Sequence, residues 1–122
     1  MFGPDYRYEA EQLSEARRAL MAPHPDGEPR SFAVAFAFCS AAFETLDLAT
    51  ILDDTVRSWV GIIDAAIDTK GLHGPSQESL WKAKAAKMSV EEAANFSTAV
   101  NELGHWLQRE YLRRKFRGGD GD

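Results

Sequence analysis

The sequence has a single cysteine, Cys39, which excludes any disulfide within the chain. Cys39 lies in an apolar segment between Phe36 and Phe43. A thiol in such a segment is typical of the core of a protein that is kept in a reducing compartment. The sequence therefore predicts a cytoplasmic protein whose stability comes from packing and not from covalent cross-links.

Long apolar runs are also missing. The longest one, residues 32–39, is far shorter than the roughly 20 residues that a helix needs to cross a bilayer. Residues 1–12 are polar and acidic, without the apolar centre of a secretory signal peptide. We therefore expect neither membrane insertion nor export, and no membrane partner.

Motifs for catalysis and cofactor binding are equally scarce. The chain has no glycine-rich phosphate loop, no dinucleotide-binding motif and no serine nucleophile motif. Glu102 and His105 have the E-x-x-H spacing of carboxylate-bridged metal proteins, but such a site needs a second pair, which the sequence lacks. We therefore predict no cofactor, no bound metal and no catalytic residue.

The net charge of -5 is unevenly distributed. Residues 1–80 carry 13 acidic and 6 basic side chains, whereas residues 81–117 carry 4 acidic and 8 basic ones. A largely acidic surface repels nucleic acid at long range, so only a local basic surface could bind phosphates. The bases that could form one, at the end of the last predicted helix, are Arg109, Arg113, Arg114, Lys115 and Arg117.

Apolar residues at helical spacing predict four or five helices. The first covers about residues 6–21, and a proline-containing loop at residues 22–29 separates it from the second. A short fourth helix around Trp81 is expected to point its lysines outward. The apolar stripe predicted for the third helix consists of Leu52, Val56, Trp59, Val60, Ile63 and Ile67.

The second helix shows two overlapping patterns. Phe32, Phe36 and Cys39 recur at helical spacing, whereas Phe32, Val34, Phe36 and Phe38 alternate as in a strand. We prefer the helix because the intervening residues are mostly alanines, which favour helices over strands. Val34 and Phe38 then lie off the main apolar stripe, which indicates a helix that is central or at an interface.

The start of the last helix is strongly encoded, because Ser89 and Glu92 form a capping box. Its apolar face is expected to continue for about six turns through Ala93, Phe96, Val100, Leu103, Leu107 and Tyr111. The sequence thus predicts an all-α, antiparallel bundle of four or five helices. We expect one domain over residues 1–117 and a flexible polar tail over residues 118–122.

These features favour a non-catalytic protein-binding or assembly subunit that docks to itself or to a larger partner. If exposed, Trp81 would be a hot spot for such a partner. Small helical proteins of this kind serve as accessory subunits, immunity factors, and phage or defence inhibitors. The candidate partner-binding residues are Val34, Phe38, Trp81, Lys82 and Lys84.

The alternative is a module that binds nucleic acid through the basic end of the last helix. Arginines there could form bidentate bonds to phosphates, while Tyr111 and Phe116 could stack on bases. Basic residues in a last turn also complement the helix dipole, which needs no ligand.

Arg18 and His24 are six residues apart, with prolines on both sides of His24. The chain's size and helical order loosely resemble those of HEPN-type bundles, many of which are metal-independent ribonucleases with an arginine and a histidine four to six residues apart. The resemblance implies Arg18 and His24 as the catalytic pair. Ala19 departs from the polar residue usual after that arginine, and the prolines place His24 outside the helix. The resemblance covers architecture alone, and we assign no ribonuclease activity.

Overall fold

The computed structural model describes residues 6–21 and 28–119. Within these ranges the chain forms five α-helices, one short 3-10 helix between the second and third, and no strand. The predicted all-helical bundle is therefore confirmed. The helices are α1 (Arg7–Met21), α2 (Glu28–Thr45), α3 (Asp54–Ile67), α4 (Gln77–Ala86) and α5 (Val90–Gly119), with the 3-10 helix at Leu48–Thr50.

The phenylalanine-rich segment is a helix, α2, and it lies at the centre of the bundle. It packs closely against α1 and α4, and more loosely against α3. Ala35, Phe36 and Cys39 are fully buried, while Val34 and Phe38 are half-buried. Neighbours within the chain therefore cover most of the apolar surface of α2.

The aromatic core joins α2 to α5. The ring of Phe96 meets that of Phe36 edge to face at 5.0 Å between centroids, and Phe32 lies 5.9 Å from Phe96. Edge-to-face contacts of this kind add to the free energy gained by burial alone. α5 also packs against α1 and α3, so that the long helix connects these two helices within the bundle.

The segment just before α3 does not continue the apolar stripe that was predicted for this helix. Asp53 caps the helix by accepting bonds from the N–H groups of Thr55 and Val56, at 2.8 and 3.1 Å. The backbone before this cap is extended, and successive side chains of an extended segment point to opposite sides. Ile51 is consequently fully buried and Leu52 is 83% exposed. The prediction that Leu52 belongs to the stripe is therefore wrong, and Ile51 fills the core.

The predicted capping box at the start of α5 is confirmed. The Ser89 N–H donates to the Glu92 carboxylate at 2.9 Å, and the Glu92 N–H donates to the Ser89 hydroxyl oxygen at 3.0 Å. Hydrogen bonds from the Ser89 backbone and hydroxyl, and then the nearby charge of Lys84, lower the pKa of Glu92. At its other end α5 continues to Gly119, past Gly118 where the tail was predicted to begin. Residues 120–122 lie outside the described ranges.

Replacing Ser89 by alanine should lower the free energy of unfolding by about 1 kcal/mol, because the Glu92 N–H loses the hydroxyl oxygen that accepts its hydrogen bond. Urea denaturation measures the change. Thr98→Ala, at an exposed position inside the same helix, is the control and should shift stability by less than about 0.5 kcal/mol. Equal effects of the two substitutions would show that the cap does not stabilise α5.

Candidate functional site

An open groove lies between α3, α4 and the first turns of α5, with a volume of about 620 Å³. It exists because α4 packs closely on α2 and only loosely on α3. Most of the lining is apolar, and its largest apolar side chains are Ile62, Leu72, Leu80, Met88 and Phe96.

Two apolar side chains of the groove remain open to solvent. Ile62 on α3 is 39% exposed, and Leu72 in the loop after α3 is 40% exposed. Two alanines of the lining, Ala65 and Ala83, are also exposed and make its walls shallow. These small side chains therefore leave room for a larger apolar side chain from another molecule.

Charged residues border this apolar lining. Lys84 of α4 and Lys87, which follows the last residue of α4, contribute two positive charges, and Glu92 of α5 contributes one negative charge. The Glu92 carboxylate is held by the capping box, whereas Lys87 is exposed and has no ion-pair partner in the described part of the chain. The groove therefore carries a local positive charge on a protein whose net charge is -5.

Two side chains of α4 fix its position relative to α3. The Lys84 ammonium donates to the carbonyl oxygens of Ala65 and Asp68, at 2.8 and 2.5 Å. The Trp81 indole N–H donates to the carbonyl oxygen of Ile67 at 3.0 Å. Carbonyls at the end of a helix lack partners within that helix, so these contacts satisfy them from outside. The sequence predicted that Lys84 points outward into solvent, but its ammonium group instead binds the end of α3.

Only one of the five predicted partner-binding residues, Lys84, lines the groove. Val34 and Phe38 are half-buried on α2, Trp81 is half-buried, and Lys82 is exposed outside the groove. The predicted set therefore includes one residue of the groove and none of the apolar side chains that α3 and α5 contribute to it.

Some of the basic side chains at the end of α5 form ion pairs within the chain. Glu110 is almost fully buried and pairs with Arg113 and, at 3.5 Å, with Arg114. The hydrogen bond that Arg113 donates to the Glu110 carboxylate also raises the pKa of Arg113. Arg109 is exposed, and the Lys115 ammonium lies 5.9 Å from the centre of the Tyr111 ring. The Arg117 side chain lies outside the described residues.

Tyr6 packs against the same part of α5. Its ring lies 5.5 Å from that of Trp106, and the Arg114 guanidinium stacks over it at 4.4 Å. Its hydroxyl is 2.8 Å from the Thr50 hydroxyl. Tyr6 therefore joins the start of α1 to the 3-10 helix and to α5, and Arg114 contributes to that junction.

Among the residues that the structure describes, those considered for catalysis and metal binding do not form a cluster. Arg18 is exposed and pairs with Glu15 at 3.1 Å, while His24 lies outside the described residues. His105 is exposed on α5. Residues 6–21 and 28–119 contain no cluster of three or more side chains suited to a metal ion.

Cys39 is fully buried, and this burial raises the pKa of its thiol. A neutral, enclosed thiol is a poor nucleophile. We expect no reaction with DTNB in the native protein and reaction of one thiol per chain in denaturing urea. Ala37→Cys, at an exposed position of α2, is the control and should add a thiol that reacts at once. Rapid reaction of native Cys39 would contradict its placement in the core.

No protein-family model matches the sequence, and no curated protein or solved structure is significantly similar to it. In the described part of the chain, no helix combines the length and apolar character needed to cross a membrane.

Proposed function

We propose that this chain is a non-catalytic protein-binding or assembly subunit, and that its binding site is the groove between α3, α4 and α5. The observation that carries the proposal is the open apolar lining, in which Ile62 and Leu72 are 39% and 40% exposed. Apolar side chains gathered on a concave surface with charged residues at its border are typical of interaction sites. Burial of this lining against a partner would supply the driving force for binding.

The lining supports binding over catalysis. It contains no serine, threonine or cysteine that could act as a nucleophile. Its one histidine, His73, is exposed in the loop after α3. A cytoplasmic location is part of the proposal, since the only cysteine is a free buried thiol.

Binding of nucleic acid at the basic end of α5 has weaker support. Glu110 offsets the charges of Arg113 and Arg114, and Arg114 is stacked on Tyr6. The rest of the molecule is acidic, which opposes the approach of a phosphate backbone. We therefore favour a protein partner, in the role of an accessory or assembly subunit.

Purification of the tagged chain from its native host tests the proposal, with wild type and two variants compared. Ala83→Glu puts a large charged side chain into the groove, whereas Ala94→Glu makes the same change at an exposed position outside it. We expect a stoichiometric partner with wild type and Ala94→Glu, and its loss with Ala83→Glu. A partner retained by Ala83→Glu, or none with any form, would refute binding through this groove.

A further inference from the structure

We propose that the groove binds one amphipathic helix of a partner protein, with an acidic residue of that helix placed beside Lys87. This inference rests on the proposed function and adds the chemical character of the partner. It follows from the shape of the groove, from the absence of strand edges in the described residues and from the charges at the border.

The shape of the groove suits a helix better than a small molecule. α3, α4 and α5 bound it, and the side chains of Ile62 and Leu72 in its lining are exposed to solvent. A pocket for a small molecule encloses most of the ligand surface. An open groove between helices instead accepts the apolar stripe of an amphipathic helix and leaves the polar face in water.

An extended peptide could not form the main-chain hydrogen bonds of strand pairing in this groove. Peptides that bind as strands obtain much of their affinity from main-chain hydrogen bonds to a sheet edge. Residues 6–21 and 28–119 contain no strand, and away from the helix ends the backbone donors and acceptors of α3, α4 and α5 are used within the helices. A helix, which satisfies its own backbone bonds, can bury apolar side chains here without leaving polar groups unpaired.

The charges at the groove favour an acidic helix. Lys87 lines the groove, is exposed and lacks a carboxylate partner among the described residues. The nearby Glu92 carboxylate is already bonded to the Ser89 N–H, so it is less available to a basic partner. A carboxylate on the incoming helix would pair with Lys87, and complementary charge of this kind contributes to specificity.

A second copy of this chain fits these requirements poorly. Its exposed apolar residues at the end of α5 are Leu112 and Phe116, which are 38% and 68% exposed. They stand among Arg109, Arg113 and Lys115. This basic helix end would meet Lys87 with a charge of the same sign. We therefore expect the partner to be a different protein.

Selection from a displayed library of random peptides, about 16 residues or four helical turns long, tests this inference on the immobilised full chain. Peptides that also bind Ala83→Glu are removed. We expect the remaining sequences to show apolar residues at positions i, i+4 and i+7 and an aspartate or glutamate next to that stripe. The best synthetic peptide should become helical on binding.

Binding of that peptide to two lysine variants checks the position of the acid. Lys87→Gln should weaken binding by about two- to fivefold, the range expected for one exposed ion pair. Lys82→Gln removes an exposed lysine of α4 outside the groove and should leave the affinity unchanged. Both lysines are exposed, so neither substitution is expected to disturb the fold.

Three results would overturn the inference. These are selection of basic or non-helical peptides, no enrichment over Ala83→Glu, and equal affinity of wild type and Lys87→Gln. A native partner that is lost with Ala83→Glu but insensitive to Lys87→Gln would reject the acidic helix and leave the proposed function standing. Self-association in sedimentation that is abolished by Ala83→Glu would instead identify a second copy as the occupant.

Discussion

Replacing Phe36 by alanine should lower the free energy of unfolding by about 3–5 kcal/mol. Phe36 is fully buried on α2, and its ring contacts Phe96 at 5.0 Å and Phe32 at 6.5 Å between centroids. The substitution removes both aromatic contacts and leaves a cavity between α2 and α5. A domain of this size has a total stability of about 5–15 kcal/mol, so the variant should lie close to unfolding.

Urea denaturation followed by circular dichroism measures this loss. Phe116→Ala makes the same chemical change at a residue of α5 that is 68% exposed. It should alter stability by less than about 0.5 kcal/mol. Similar losses from the two substitutions would contradict the central position of α2 in the bundle.

Substitution of Gly104 by leucine should push α1 away from α5. A Cβ atom at Gly104 would lie 3.1 Å from the Arg17 Cδ and 3.6 Å from the Leu13 Cβ. Arg17 also donates a hydrogen bond to Asn101 on α5 at 3.0 Å, which the displacement would disturb. Overpacking of this kind costs about 1–3 kcal/mol, more than the roughly 0.8 kcal/mol that leucine gains over glycine in helix propensity.

The matched control is Gly61→Leu on α3, where a new Cβ would meet no atom within 4 Å. There only the helix propensity changes, so stability should rise by up to about 1 kcal/mol. Thermal or urea unfolding should therefore give changes of opposite sign for the two glycines. A rise in both variants would show that α1 and α5 do not approach closely at Gly104.

Local sequence patterns predicted most of the fold. Capping at Ser89 and Glu92 depends on neighbours three residues apart, so it could be identified without the structure. The helical state of the phenylalanine-rich segment followed from the alanines between the aromatic residues, but α2 begins at Glu28, inside the loop predicted at residues 22–29. The wrong assignment of Leu52 arose because the cap at Asp53 leaves an extended segment before α3, and there burial alternates between neighbours.

The groove could not be predicted in the same way, because it depends on how helices are placed in space. Trp81 and Lys84 bind carbonyls of α3 that are 14 and up to 19 residues away in sequence. Spacing on α4 shows that the two side chains share a face but not what that face contacts. Ile62 and Leu72 have no local feature that marks them as exposed, since their exposure results from the gap between α4 and α3.

The contacts at the basic end of α5 could not be predicted from the sequence either. Glu110 is visible in the sequence as one acid among several bases, but its near-complete burial arises only in the folded chain, where Tyr6 also stacks under Arg114. Once Glu110 is paired with Arg113 and Arg114, much of the local charge has a structural role. A charge count along the sequence therefore overstates the surface that is free to bind phosphate.

The most direct test of the proposed binding site is an amide chemical-shift map of the isotope-labelled chain, titrated with the partner that co-purifies from the native host. At 13.6 kDa the protein is suited to this measurement. We predict that the largest changes fall in residues 62–73 and 80–96, with residues 109–117 little affected. Changes confined to residues 109–117, or to α2, would contradict binding through the groove between α3, α4 and α5.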